Sequence, residues 1–90
     1  MIEKAGVAII QQIDGVWNAL LVKQKISGKW CFPKGNRLRT TESLQSCAKR
    51  ELVEETGLFI HIDRSDVPFM AHKTGIFVYN VTDSNQIRIF

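Results

Sequence analysis

Cysteine is scarce in this sequence, and the two that occur do not form a recognisable site. Cys31 and Cys47 are not placed at the spacing of a zinc-binding motif, and both have apolar neighbours. This pattern favours small, reduced core residues over a disulfide or a zinc site, and it is typical of a cytoplasmic protein.

Long apolar segments are also missing. The apolar run at residues 7–10 is far too short to cross a bilayer, which takes about 20 residues. The N-terminus lacks the basic and apolar regions of a signal peptide. We therefore expect a cytoplasmic protein with no membrane partner.

Acidic residues are absent from residues 15–41, although this stretch contains six basic ones. They are Lys23, Lys25, Lys29, Lys34, Arg37 and Arg39. Such a stretch indicates an anionic partner, but a solvated basic face has the same composition. Charge alone does not distinguish a phosphate ligand from nucleic acid.

The 90 residues predict a single small domain, because so short a chain cannot form two separate cores. Apolar, β-branched residues at 5–13 and 16–23 flank Asp14 and Gly15, which predicts a β-hairpin. Residues 24–40 have the composition of an ordered loop. Further strands are expected at residues 58–62, 76–81 and 86–90, with a turn at 73–75.

A helix is predicted at about residues 42–56. This stretch has no glycine or proline, Thr40 and Thr41 are candidate N-caps, and Gly57 stands where a left-handed C-cap is favoured. Helical projection places Glu51 and Glu55 within the apolar stripe and Glu54 at its edge. The stripe itself consists of Leu44, Cys47, Ala48 and Leu52.

Three carboxylates crowded on one helical face repel one another, and the negative end of the helix dipole disfavours them further. Arg50 or a hard divalent cation, which prefers oxygen ligands, would offset this repulsion. The alternative is a solvated acidic helix end with Arg50 and Lys49 as surface partners. The direction in which Glu51 and Glu55 point favours the metal.

The segment from Gly35 to Leu58 resembles the Nudix box, whose pattern is G, five residues, E, seven residues, then R-E-U-x-E-E-x-G-U with U aliphatic. In this sequence Arg50 begins the stretch R-E-L-V-E-E-T-G-L, and the match is complete from Glu42 onward. The departure is that six residues, not five, separate Gly35 from Glu42. The lead-in W-C-F-P-K-G at residues 30–35 strengthens the resemblance.

The resemblance implies an α/β fold, the Nudix α/β/α sandwich with a mixed sheet, formed by a single domain of residues 1–90 with the box at 35–58. It also implies hydrolysis of a phosphoanhydride bond in a nucleoside diphosphate linked to another moiety, with Mg²⁺ or Mn²⁺. Glu51, Glu54 and Arg50 match the family's catalytic residues, whereas Glu42 looks more structural. The metal-binding groups are expected to be Glu51, Glu54, Glu55 and the carbonyl of Lys34.

Substrate contacts are expected from the loop before the helix, where Lys34 and Arg37 could meet phosphate and Trp30 could stack on a nucleobase. Solubility is an equal explanation for Arg37 and Arg39. The lead-in resembles that of members acting on dinucleoside polyphosphates, capped RNA ends or diphosphoinositol polyphosphates.

Two other functions stay open: a non-catalytic nucleotide-binding module, and an RNA-binding protein that uses the basic stretch. The domain is expected to be shortened at its C-terminus, so a homodimer or a partner chain could complete it.

Overall fold

The computed structural model describes residues 2–38 and 41–82, and the backbone alone of 87–89. Its central strand is β1 (Lys4–Ile13), which pairs antiparallel with β2 (Val16–Ala19) through the Asp14–Gly15 turn. Asp14 has a φ of 50° and Gly15 of 78°. Both central residues therefore have the positive φ of a tight hairpin turn, as the sequence predicts.

The strand predicted at residues 16–23 is interrupted. It divides into β2 and β3 (Val22–Lys23), and β3 pairs with β4 (Trp30–Cys31) in a second hairpin. The expected loop also contains β5 (Lys34–Asn36), which pairs antiparallel with the first residues of β1. The prediction of a single loop at 24–40 is wrong, because β1 extends beyond β2 and its free backbone groups are available to β5.

The helix α1 (Leu44–Thr56) begins two residues later than predicted. Ser43 is the N-cap, and its Oγ accepts a hydrogen bond from the Ser46 amide at 3.0 Å. Thr41 lies in the preceding turn, and Thr40 lies outside the described residues. Gly57 ends the helix with a φ of 74°, and its amide donates to the Val53 carbonyl. The C-cap prediction is therefore confirmed.

The second half of the chain completes a mixed sheet. After β6 (Leu58–Ile60) the chain forms β7 (Phe69–Ala71) and β8 (Thr74–Asn80), and β8 runs parallel to β1 in the order β2-β1-β8-β7. The turn expected at 73–75 lies at residues 72–73, where His72 has a φ of 55°. The backbone of β9 (Ile87–Ile89) pairs antiparallel with β6.

The core lies between α1 and the sheet. Cys47, Ala48 and Leu52 are the buried residues of the helix, and they belong to the same cluster as Val7 and Phe77. Burying one such large side chain contributes about 1.5–3 kcal/mol. This packing holds the helix against β1 and β5, so the carboxylates beside the apolar stripe are presented at the edge of the sheet.

Candidate active site

Glu51 lies next to the buried stripe of α1, with its side chain only 13% exposed. Its carboxyl group is packed against the backbone of β5 at Gly35. A Cβ atom at Gly35 would overlap that carboxyl group, so glycine is required there by the close approach and not by an unusual φ. The first glycine of the box therefore provides the space that Glu51 occupies.

Arg50 connects this carboxylate to the start of the helix. Its Nε and Nη2 donate to the two oxygens of Glu42 at 3.0 and 3.1 Å, and its Nη1 donates to Glu51 Oε1 at 2.8 Å. Nη2 also donates to the carbonyl of Asn36 at 2.9 Å. Bidentate contacts of this kind fix orientation as well as charge.

The ionisation of this network follows from the same contacts. Hydrogen bonds from Arg50 lower the pKa of the Glu42 carboxyl below its ordinary value, against an opposing effect of burial. The Glu42 and Glu51 carboxylates raise the pKa of Arg50 further, so it stays charged. Arg50 and Glu42 thus form a positioning network for Glu51, in agreement with the structural role expected of Glu42.

The last turn of the helix is different. The Glu54 side chain is 56% exposed, and its contact with Arg50 is long, at 3.5 Å. Glu55 is also exposed, although the projection places it in the core-facing stripe. That expectation is wrong because a projection gives a direction around the helix axis, not how far the neighbouring elements extend along it.

The Glu55 carboxyl end still contacts the protein, at β5. Burial of this group raises its pKa, the negative charge of Glu51 adds to the effect, and the backbone amide and charge of Lys34 oppose it. Burial and the neighbouring Glu51 charge therefore disfavour the ionised form of Glu55 more than Lys34 favours it.

The donor set suits a hard divalent cation in kind. Glu51, Glu54, Glu55 and the carbonyl of Lys34 offer only oxygen ligands, which Mg²⁺ and Mn²⁺ favour. Within residues 2–38 and 41–82, no three His, Cys, Asp or Glu side chains are arranged closely enough to hold an ion as they stand. One oxygen of Glu51 accepts a hydrogen bond from Arg50. Binding of a cation would therefore require the glutamate side chains to change their orientation.

The basic and aromatic residues predicted near the substrate differ in how far they are engaged by the protein itself. Arg37 donates from Nε and Nη2 to the Glu42 carbonyl at 3.0 and 2.6 Å, and from Nη1 to the Ile2 carbonyl at 3.2 Å. These bonds tie the loop to the N-terminal segment, and a role of Arg37 in binding phosphate stays a prediction. Trp30 is 63% exposed and lies opposite Lys23 in the β3–β4 hairpin. Arg39 lies outside the described residues.

A cleft of about 430 Å³ opens between this hairpin and the end of the helix. Its lining consists of Val22, Lys23, Gln24, Lys25, Ile26, Glu54 and Glu55. Sequence analysis did not assign Lys23 or Lys25 to the site. The signal was the acid-free basic stretch, but only the fold shows which of its lysines face the carboxylates.

The remaining expectations concern the state of the two cysteines and the length of the helices. Cys31 is half-buried and Cys47 is buried, and both are free thiols. Among the described residues, no helix has the length and apolar character needed to cross a membrane.

Comparison with known proteins identifies the family. A family model described as the NUDIX domain matches residues 3–89, which confirms the resemblance drawn from the box. A search among curated protein sequences found no match. Two crystal structures of C. elegans Ap4A hydrolase, one of them a binary complex, are similar with a TM-score of 0.62 and 21% identity. Each similarity covers 100% of this chain, and it covers 73% of the binary complex chain and 76% of the other. They confirm the α/β fold with a mixed sheet.

Proposed function

This chain belongs to the NUDIX domain family, and its enzyme class is that of a Nudix pyrophosphohydrolase; we propose that it is a metal-dependent hydrolase of a nucleoside diphosphate linked to another moiety. The observation that carries the proposal is the network in which Arg50 holds Glu51 at 2.8 Å while Glu54 stays exposed beside it. A cation bound at this end of the helix would therefore have one ligand of fixed orientation, Glu51, beside two exposed carboxylates, Glu54 and Glu55.

The residues of the site have three proposed roles: binding the cation, accepting a proton and positioning Glu51. Glu51, Glu54, Glu55 and the carbonyl of Lys34 would hold Mg²⁺ or Mn²⁺, which when bound neutralises phosphate oxygens and lowers the pKa of water. Glu54, whose side chain is 56% exposed, would hold the cation with one carboxylate oxygen and accept the proton of the attacking water with the other. Glu51 is kept in place by Arg50, whose charge also offsets the repulsion among the carboxylates.

The leaving group is a separate question, since the box residues perform the chemistry and not the recognition of that group. The similar structures carry the name Ap4A hydrolase, so dinucleoside polyphosphates are the first substrates to propose. Capped RNA is the second type. Lys34, Arg37 and Trp30 are proposed as substrate contacts, with Lys34 next to Glu55 and Trp30 in the hairpin whose first strand lines the cleft with Glu55.

The test is a panel of dinucleoside polyphosphates, nucleotide sugars and capped RNA, assayed with Mg²⁺ and with Mn²⁺, with products identified. Glu54→Gln should lower the turnover rate by about 100-fold or more, which is typical of a lost general base. Glu3→Gln is the matched control, because Glu3 is a 55% exposed glutamate that, among the described residues, forms its ion pair with Lys73 at 3.5 Å. Absence of cleavage across the panel, or a fully active Glu54→Gln protein, would contradict the proposal and favour a non-catalytic nucleotide-binding or RNA-binding module.

The span of the domain, the cytoplasmic setting and a homodimer or partner that completes the fold stay predictions. Sedimentation at micromolar concentration is the direct measurement of the oligomeric state. A monomer that hydrolyses substrate would contradict completion by a second chain.

A further inference from the structure

The connection from β5 to helix α1 is one residue longer than in the Nudix pattern, with six residues between Gly35 and Glu42. Each added residue increases the number of conformations that a connection can adopt, and ordering it costs more conformational entropy. Glu42 must nevertheless lie where Arg50 reaches both of its oxygens. A bond across the connection is therefore expected to fix the position of Glu42.

The guanidinium group of Arg37, which is half-buried, makes that bond. Its Nε and Nη2 donate to the Glu42 carbonyl at 3.0 and 2.6 Å, and its Nη1 donates to the Ile2 carbonyl at 3.2 Å. The Arg37 amide donates to the Glu3 carbonyl at 2.9 Å, which continues the pairing of β5 with β1. Arg37 is thus fixed to the N-terminal segment and holds Glu42 from there.

The carboxylate of Glu42 connects Arg37 to the candidate active site. The Glu42 side chain is only 15% exposed, and it accepts hydrogen bonds from Arg50 at 3.0 and 3.1 Å and from the Leu38 amide at 3.0 Å. Arg50 in turn donates to Glu51 at 2.8 Å. A displacement of Glu42 would therefore change the orientation of Arg50 and, with it, that of Glu51.

We propose that Arg37 is a positioning residue of the candidate active site, which fixes Glu42 so that Arg50 holds Glu51 in its orientation. The proposal rests on the proposed hydrolase function, in which Glu51 has a role in the chemistry. Arg37 acts here through two backbone carbonyls, so the effect does not depend on which nucleotide is bound. A contact of Arg37 with the substrate is a separate role that the experiment distinguishes.

Lysine in place of Arg37 separates positioning from the binding of phosphate. A phosphate contact requires a positive charge, which lysine provides as a point charge. Positioning requires a planar group that donates from two edges at once, to the Glu42 carbonyl and the Ile2 carbonyl, and an ammonium group on a flexible stem lacks that geometry. Arg37→Lys therefore keeps the charge and removes the bridge, whereas Arg37→Gln removes both.

The first experiment measures kcat and KM for a dinucleoside tetraphosphate. Both Arg37→Lys and Arg37→Gln should lower kcat by about tenfold or more, the size of effect typical of groups that orient a metal ligand. KM should change by less than about threefold, because binding of the substrate ground state is not affected. Arg64→Gln, at an exposed arginine outside the network, is the control and should leave both constants unchanged. Full kcat in Arg37→Lys, or a loss confined to KM, would overturn the proposal and leave Arg37 as a substrate contact.

A second experiment requires neither metal nor turnover, so its failure is distinct from a failure of the proposed function. Arg37→Gln is combined with Glu42→Ala, which removes the carboxylate that connects Arg37 to Arg50 but keeps the carbonyl that Arg37 binds. Urea denaturation in a chelating buffer gives the shift of the unfolding midpoint for each protein. Arg37→Gln should lower the midpoint less in the Glu42→Ala protein than in the unmodified one, because the network that it positions is already lost.

Arg64→Gln is also the control for this cycle, since its shift should be the same with and without Glu42→Ala. An equal shift from Arg37→Gln in both backgrounds would overturn the positioning role, whatever the kinetic assays show. It would mean that Arg37 joins the connection to the N-terminal segment without orienting Arg50.

Discussion

The glutamates of the candidate site fall into two groups, Glu42 with Glu51 and Glu54 with Glu55, which differ in how completely their charges are balanced. On one side, Glu42, which lies just before the helix, accepts two hydrogen bonds from Arg50, and Glu51 in the helix accepts a third within a slot that Gly35 leaves open. At the end of the helix, Glu54 is exposed and Glu55 has a raised pKa. Under the proposed function, Arg50, Glu42 and Gly35 position Glu51, whereas Glu54 and Glu55 are the carboxylates available to bind a cation or accept a proton.

The largest expected effect comes from removing the charge of Arg50, which contacts the glutamates of both groups. Arg50→Gln should lower the free energy of unfolding by about 3 kcal/mol, the lower end of the range for deleting one partner of a buried ion pair. The lower end applies because the Arg50 side chain is 23% exposed. Urea denaturation at neutral pH measures the loss. Arg64→Gln is the control, because Arg64 is an exposed arginine outside the network. Equal losses of unfolding free energy in the two proteins would show that the contacts of Arg50 do not stabilise the fold.

The second prediction concerns the slot for Glu51. Gly35→Ala places a methyl group where the Glu51 carboxyl lies, so we expect a loss of about 1–3 kcal/mol from overpacking. Activity should fall by about 100-fold, since displacing a catalytic group by an ångström has an effect of that size. Both are measured on the same preparation.

A double-mutant cycle identifies the cause of that loss. Glu51→Ala removes the overlapping carboxyl, so Gly35→Ala should destabilise the Glu51→Ala protein less than the unmodified one. A stability loss of the same size in both backgrounds would mean that β5, not Glu51, is what the methyl group disturbs.

Local patterns could predict the parts of the molecule that depend on neighbours in sequence. The Asp14–Gly15 turn, the Gly57 cap and the spacing of Glu51, Glu54 and Glu55 all follow from such patterns. The start of the helix could not be predicted, because three hydroxyl residues lie between 40 and 43 and local rules favour them almost equally. Ser43 is the one whose hydroxyl caps the helix, next to a Glu42 that Arg50 holds in place.

The contacts of the candidate site that the sequence could not predict join distant residues. Arg37 binds the carbonyl of Ile2, which is 35 residues away, and no local pattern indicates that contact. Lys23 and Lys25 face Glu54 and Glu55 only because the β3–β4 hairpin lies beside the helix end. Charge composition indicated an anionic partner but could not say which of the basic residues would meet it.

The smallest expected effect is the pH-dependent contribution of Glu55 to the free energy of unfolding. A carboxyl group whose pKa is lowered by folding, such as Glu42, stabilises the protein above its unfolded pKa, and this stability is lost as the pH falls through the folded value. Glu55 has the opposite sign, since its folded pKa is raised. Its contribution is favourable only below the unfolded pKa and is lost as the pH rises through the folded value, so ionised Glu55 destabilises the fold at neutral pH.

Glu55→Gln should therefore stabilise the metal-free protein at neutral pH, by a few tenths of a kcal/mol, the size of like-charge repulsion on a helix. The gain should disappear at acidic pH, where Glu55 is protonated in both folded and unfolded chains. Thermal unfolding in a chelating buffer measures it, with Glu3→Gln as the control. A destabilised Glu55→Gln protein would mean that the contact with Lys34 outweighs the repulsion from Glu51. Where Glu55→Gln is the more stable protein without metal, addition of Mn²⁺ should reverse the order. A ligand that binds only the folded state stabilises it more the tighter it binds, and the variant lacks one carboxylate. If Mn²⁺ raised the Tm of both proteins equally, Glu55 would not be a metal ligand. Its ionised form would destabilise the fold without contributing to the site, and Glu54 would be the one exposed carboxylate of the pair that binds the metal.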